Sequence, residues 1–496
     1  MRSTDNADLF NLPKPRYPKP SRNKTTIAAR QMKNRDSNNI SRREFCQTAA
    51  VAAAAFAVPM ILPRHLFGAP APSNRIRVGQ IGCGRIAHGH DMPEVLGSGL
   101  ADIVAVCDVD AKRGADAKRF IEEHYHKKNA KPPQVTVYSD YRELLERADI
   151  DAVVISTPDH WHAEPAVAAA LAGKDIYLQK PMAMTVAESR LVLDTVSKTG
   201  RIVQIGSQQR SMAQFRRACE LVRAGRVGNL QRIEIGLPVD PTKPDDPEQP
   251  VPPNLDYDRW LGCTPKVYYT EQRVHPQNDY SRPGWLRCET YCLGMITGWG
   301  THHLDTAHWA MDIELGGPVK VEGKAQFPPP EHTIWNVHGP YEIELVYSGG
   351  VRVQVSNRFP NGLKFIGDEG WIFVSREGQT TSSDPSSPPT NLKPLDASNP
   401  KLLDPNGIKI ELYRSAEQHS NWLECIRTRK PPVAPATAGH SALCACFVSW
   451  VAMKLGRPLT WDAKAERFVN DEQANAMLSR HERAPYGVTR LLKAKA

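Results

Sequence analysis

Residues 76–90, IRVGQIGCGRIAHGH, constrain the fold more than any other stretch of the chain. A short apolar run passes into Gly82-x-Gly84-x-x-Ala87 and then into helical periodicity. In a strand–turn–helix of this kind Gly82 permits the tight turn, and Gly84 lets the backbone approach a pyrophosphate. Ala87 allows helix and strand to pack closely. Further strand-like runs follow at 101–107 (ADIVAVC), 152–156 (AVVIS), 175–178 (DIYL) and 202–205 (IVQI). Helix-like stretches at 86–97, 110–124, 162–173 and 185–199 separate them. Such alternation implies a parallel sheet covered on both faces, so residues 72–206 are expected to form a doubly wound Rossmann domain. The second run ends in VCDVD, placing Asp108 where a carboxylate binds ribose hydroxyls. A carboxylate there repels a 2′-phosphate and favours NAD; Lys112 and Arg113 beside it keep NADP open.

Beyond residue 206 the pattern changes. A helix at 212–225 precedes runs at 230–237, 318–326, 341–348, 351–358 and 370–375. YEIELVY and VRVQVS alternate with period two, which predicts a largely antiparallel sheet with one open face. Seven prolines in 238–253 and the Ser, Pro and Asn of 376–409 mark surface loops, and helices at 415–428 and 437–454 close the unit. Residues 207–496 are therefore expected to be an α+β domain for substrate binding, with the open sheet face as the surface of a homo-oligomer.

The formal charge of +9 suggests nucleic acid, but its distribution excludes that reading. Residues 1–70 hold 12 Lys/Arg against 4 Asp/Glu, leaving the remainder nearly neutral. Residues 1–40 are polar, basic and expected to be a disordered n-region. Residues 41–71 carry Arg42-Arg43, an uncharged run from 45 to 62 and the small-residue Ala69-Pro70-Ala71, and are expected to be a twin-arginine export signal. An uncleaved anchor is the alternative. One of the ten cysteines, Cys46, lies in that segment; the other nine have no disulfide-framework spacing and are expected to be reduced core residues.

Taken together, VGQIGCGRIAHGH, VAVCDVD, DAVVISTPDHWHAEPAVAAALAGKDIYLQKPMAMTVAES, VQIGSQQR and WGTHHLDTAHW resemble the Gfo/Idh/MocA oxidoreductases, in family order from residue 76 to about 311. LDYDRWLG and the export signal resemble a secreted branch of that family. The resemblance implies a dinucleotide bound by Gly82, Gly84, Arg85, Ile86, Asp108, Thr157, Pro158, His162 and Lys180. It implies that Lys180, in QKP where the family has Glu-Lys-Pro, positions a substrate hydroxyl. The family's Asp-x-x-x-His-x-x-Asp, laid on this chain, makes His302 the general base and Asp305 its orienter, with His303 structural. Two departures stand out: Gln179 replaces the glutamate, and Gly298 falls on the first aspartate.

The loop 280–292, YSRPGWLRCETYC, offers Arg282, Trp285, Arg287 and Tyr291 to a sugar-like ligand. Trp260 reads as core. The histidines and Cys292 show no spacing of a closed zinc site, so no metal is expected. The function expected is NAD(P)-dependent oxidation of a hydroxyl on a sugar, cyclitol or derivative, with the cofactor tightly held because an exported enzyme has no pool for exchange. A redox-neutral NAD-dependent glycosidase or lyase, and a binding protein with a relic cofactor site, are the alternatives.

Overall fold

β1 (Ile76–Ile81) is buried along almost its whole length, as an apolar run in the middle of a covered sheet must be. In the computed structural model, which describes residues 74–329, 333–376 and 387–495, it lies between β2 (Ala101–Cys107) and β4 (Ala152–Ile155). With β3 (Thr136–Tyr138), β5 (Asp175–Leu178) and β6 (Val203–Ile205) these form a sheet of order β3-β2-β1-β4-β5-β6, parallel throughout. The order reverses between β1 and β4, which opens a crevice at the carboxyl ends of the strands. Gly82, Asp108, Thr157 and Gln179–Lys180 each follow the end of one of these strands. β3 escapes sequence reading because it is a three-residue edge strand that is not fully buried. The helix expected at 86–97 begins instead as a π-turn over Ala87–Asp91 and continues as an α-helix over Met92–Gly97. Pro93, the second residue of that α-helix, has no N–H for the carbonyl of Gly89 and crowds it in a regular α-turn.

Among the described residues the second sheet has nine strands, in the order β13-β12-β11-β7-β10-β9-β8-β14-β15. They are β7 (Leu230–Gly236), β8 (Lys320–Ala325), β9 (Tyr341–Val346), β10 (Arg352–Ser356), β11 (Gly362–Gly367), β12 (Gly370–Val374), β13 (Leu395–Ala397), β14 (Leu459–Asp462) and β15 (Arg467–Phe468). Only the β7–β10 pair is parallel among them. Ile343, Leu345, Val353 and Val355 point into a core completed by the helices Ala213–Arg223, Gly300–Ala310 and Ala436–Leu455. The other face is polar, with Arg352 paired to Glu344 and Arg232 to Glu234.

Ala436–Leu455 is long and apolar enough to cross a membrane, yet 89% of its apolar window is buried within the protein. It is a core helix, apolar all round because protein surrounds it. All nine cysteines from Cys83 to Cys446 are free and buried, as expected of a reduced core. The basic n-region (1–40) and the export signal (41–71) lie outside the described residues.

Candidate active site

Gly82 has φ +82°, and a Cβ there would sit 2.7 Å from the Thr157 amide nitrogen, so no other residue fits. A Cβ on Gly84 would meet nothing within 4 Å: the space above that backbone is open to a ligand. Ala87 is fully buried against the sheet. Asp108 closes the turn, its Oδ2 accepting from the Cys83 amide at 2.7 Å and its Oδ1 from the Asp110 amide at 2.8 Å. Lys112 Nζ donates to the Gln277 carbonyl at 2.5 Å. Arg113 donates to the carbonyls of Pro276 and Asp279 and lies 4.4 Å over the Tyr280 ring. Both cations that kept NADP open are thus engaged by the 276–280 loop; Asp108 faces the cavity, and Arg113 borders it while holding the loop.

That cavity, about 580 Å³, runs from the glycine loop to the second domain. Gly82, Gly84, Arg85, Ile86, Asp108, Thr157, Pro158, His162, Lys180 and His302 all line it. The ring of His162 holds the backbone of its own wall, with Nδ1 2.5 Å from the Pro181 carbonyl and Nε2 2.9 Å from that of Thr157.

Gln179 shows what replaced the family glutamate. Its Nε2 donates to both carboxylate oxygens of Asp91, at 2.8 and 3.1 Å, and Ser156 Oγ donates to Asp91 Oδ2 at 2.6 Å. Asp91 is fully buried. A glutamate at 179 would set two carboxylates against each other, whereas glutamine donates to the one already there. Asp91 also meets His90 Nδ1 at 3.3 Å and His419 Nε2 at 3.2 Å. Burial opposes ionisation of Asp91, but these contacts prevail and hold its carboxyl well below the usual range. Asp159 is a further acid at the cavity wall that sequence reading passed over. Burial raises its pKa, while the charges of His162 and Lys180 oppose the rise.

His302 is 5% exposed, on the helix Gly300–Ala310. Burial first, then the charges of Arg376 and Lys180, push its pKa well below the ordinary value, so the ring is neutral near pH 7. The expected orienter is elsewhere. Asp305 Oδ1 and Oδ2 each accept from Arg210 at 2.7 Å, and Asp305 does not line the cavity. Among the described residues, His302 Nδ1 is buried without a hydrogen-bond partner. Three residues along a helix put the two side chains near one face, but the Arg210 guanidinium engages the carboxylate in a bidentate pair. Gly298 lines the cavity, and among the described residues a Cβ there would meet only Met295 Sδ, at 3.9 Å. The missing aspartate therefore leaves room beside the histidine. His303 faces Asn361 and Gln209, consistent with a structural role.

The 280–292 loop divides. Arg282 and Trp285 line the cavity, with Arg282 donating to Asp240 Oδ1 at 2.9 Å. Arg287 lies in a neighbouring pocket with its guanidinium 4.4 Å over Trp335, and does not line the main cavity. Tyr291 is fully buried, its ring 4.9 Å from those of both His160 and Trp260. It is a core residue, because aromatic packing at this corner outcompetes exposure to the cavity; Trp260, buried in the same cluster, also borders the cavity. Sequence reading missed Trp299, Arg376 and His90, which do line it.

Residues 76–207 match the family model described as the oxidoreductase family NAD-binding Rossmann fold. Residues 242–376 and 405–488 match the C-terminal α/β domain of the same family. The chain is 34% identical over 179 residues to a glycosyl hydrolase family 109 protein of Shewanella baltica, covering 33% of this chain and 38% of that protein. It spans about half or less of the length of the curated relatives it matches. In fold it is similar to the aldose-aldose oxidoreductase of Caulobacter crescentus complexed with glycerol (TM-score 0.54, 18% identity, 78% of this chain and 99% of that one). It is equally similar to the WlbA dehydrogenase of Bordetella pertussis in complex with NADH and UDP-GlcNAcA (TM-score 0.54, 16% identity, 78% and 99%).

Proposed function

Because this chain belongs to the Gfo/Idh/MocA family of NAD-binding oxidoreductases, we propose that it oxidises a hydroxyl of a sugar, cyclitol or sugar derivative with a tightly held NAD. One observation carries the reading: Lys180 and His302 line the same cavity as the glycine loop and Asp108. The open space over Gly84 and the inward carboxylate of Asp108 fit a dinucleotide. Gly82, Gly84, Arg85 and Ile86 would hold the pyrophosphate and Asp108 the ribose; Thr157, Pro158 and Lys180 would face the nicotinamide end. Bound NAD supplies a hydride acceptor. Lys180 orients the substrate hydroxyl, and His302, neutral and buried, takes its proton. Arg282 and Trp285 present a guanidinium and an aromatic face to the polar and apolar sides of a sugar ring.

A second reading is redox-neutral: oxidation acidifies a neighbouring C–H, a substituent is eliminated or exchanged, and the product is reduced again. The likeness to a glycosyl hydrolase family 109 protein favours it. It also suits export, since the cofactor is restored in each cycle. Arg42-Arg43 and the apolar run after them support folding around NAD in the cytoplasm before twin-arginine export, and the open sheet face supports a homo-oligomer.

Denaturing the purified protein is expected to release NAD(H); active protein free of nicotinamide would count against the tight-cofactor reading. A panel of sugars, cyclitols and glycosides should then reduce the bound cofactor, read by its absorbance. A transient signal that decays as a glycoside is cleaved selects the redox-neutral reading. Lys180→Ala and His302→Ala should each slow reduction by about 10²–10⁴-fold with cofactor retained. The double variant should be little worse than either single one, because both serve one proton transfer. Parent rates in both single variants would overturn the assignment.

A further inference from the structure

Oxidising a hydroxyl breaks its C–H bond, the electron pair leaving as hydride, and its O–H bond, the pair becoming the second bond of C=O. One proton remains in the cavity in each forward step. His302 accepts it poorly as an end point: its Nδ1 is buried without a partner among the described residues, and the neighbouring Arg376 and Lys180 oppose its charge. From the wall of the same cavity leads a series of groups that the family resemblance did not identify.

His90 sits in the wall of the same cavity, at the end of the π-turn Ala87–Asp91. Turns of this type are uncommon and occur often at functional sites. Its Nδ1 faces Asp91 Oδ1 at 3.3 Å, so Nε2, on the opposite edge of the ring, is the atom left to meet the cavity. Asp91 Oδ1 lies 3.2 Å from His419 Nε2, and His419 Nδ1 lies 3.0 Å from Glu417 Oε1. Asp91 and His419 are fully buried, whereas the Glu417 side chain is 30% exposed. The groups packed around them hold them in place: Ser156 and Gln179 donate to Asp91, and the Tyr177 ring stacks on His419 at 4.1 Å. The His419–Asp91 approach is an ion-pair contact whose N–H is not aligned on the oxygen, so the ring must turn before it takes a proton from Asp91.

We propose that His90, Asp91, His419 and Glu417 form the proton route between the reaction cavity and solvent. Each step only shifts a proton. His90 gains one at Nε2 and yields one from Nδ1 to Asp91; His419, already protonated on both nitrogens, yields its Nδ1 proton to Glu417, which releases it to water, and the ring then turns over to take the Asp91 proton on the vacated nitrogen. The same route run backwards returns a proton for the reduction half of a redox-neutral cycle. Asp91 is then the reason Gln179 stands where the family has glutamate: the carboxylate serving this site comes from the glycine-loop helix.

The inference rests on the hydroxyl-oxidation reading, and the test separates the two. The full-length protein with its bound NAD is mixed with the panel sugar that reduces the cofactor fastest. His90→Ala should keep its cofactor and near-ultraviolet circular dichroism but reduce it at least tenfold more slowly. Added imidazole should restore the rate in that variant and leave the parent unchanged. His419→Gln should be slowed similarly. A second measurement needs no substrate: in ¹⁵N-histidine spectra, Asp91→Asn should move the His419 titration and the His90 Nδ1 resonance together. A His90→Ala variant at the parent rate, or a slow one that imidazole does not rescue, overturns the route. So does a His90 resonance indifferent to Asp91→Asn, or one stoichiometric divalent metal ion held by these side chains. Failure of the parent protein to oxidise any panel member counts instead against the oxidation reading.

Discussion

Asp108 shows how much one side chain can decide. Its carboxylate takes two backbone N–H groups, which fixes it at the lip of the cavity, and the nearby cations that would welcome a 2′-phosphate are bound to loop carbonyls. Asp108→Ser should therefore weaken NAD by about 1–3 kcal/mol, the range for charge-assisted hydrogen bonds, as measured by calorimetry on reconstituted protein. It should not convert the site to NADP, because the Arg113 guanidinium remains committed to Pro276 and Asp279. A variant that prefers NADP would show that these contacts yield easily. Gly298 argues the converse: among the described residues only Met295 Sδ lies within 4 Å of where its Cβ would be, so the missing side chain leaves open space in the cavity wall.

Two elements are held by charges inside the protein. The helix Gly300–Ala310, which carries His302, is tied to residue 210 by the Arg210–Asp305 pair, both partners being almost fully buried. Asp305→Ala leaves a buried guanidinium without its carboxylate and should cost about 3–5 kcal/mol in urea unfolding. An orienter of His302 would instead lose activity at unchanged stability. The helix Gln418–Thr428 is attached through His419. Burial works against the charge of His419, but Asp91 and Glu417 prevail and push its pKa up to about 9. A folded pKa above the ordinary value of about 6.5 means that protonation favours the native state. That contribution is complete below about pH 6.5 and is lost as the pH rises toward 9. Glu417 is held at about 2, against the effect of burial, by His419 and the backbone amides of Ser420 and His419, so its own contribution is lost only as the pH falls toward that value. The urea midpoint should therefore decline between about pH 6.5 and 9, and His419→Gln should flatten the decline. A midpoint as steep in the variant would assign the effect to other groups.

For the protein in its cell, the expected order of events is folding around NAD, then export. Changing Arg42 and Arg43 together to Lys should retain the protein in the cytoplasm, folded and loaded with cofactor, as fractionation would show; unimpaired export would mean an ordinary signal or anchor. The sequence alone determined the parallel domain, the glycine loop, Asp108 and Lys180, because each depends on backbone events within a few residues: a strand ends, glycine turns the chain, and the next side chain faces the crevice. Period-two alternation likewise determined five of the nine described strands of the second sheet, β7 to β10 and β12, but not β11, which begins and ends in glycine, nor β13, β14 and β15, which are four residues or shorter. Tertiary structure alone decided where side chains spend their charge and surface. Asp305 faces Arg210, 95 positions away, and Tyr291 packs on His160 and Trp260. Asp91 meets His419 across more than three hundred residues. Local spacing predicts none of these contacts, because a buried carboxylate or ring takes the partner that compensates its desolvation, and that partner is set by how the domains pack.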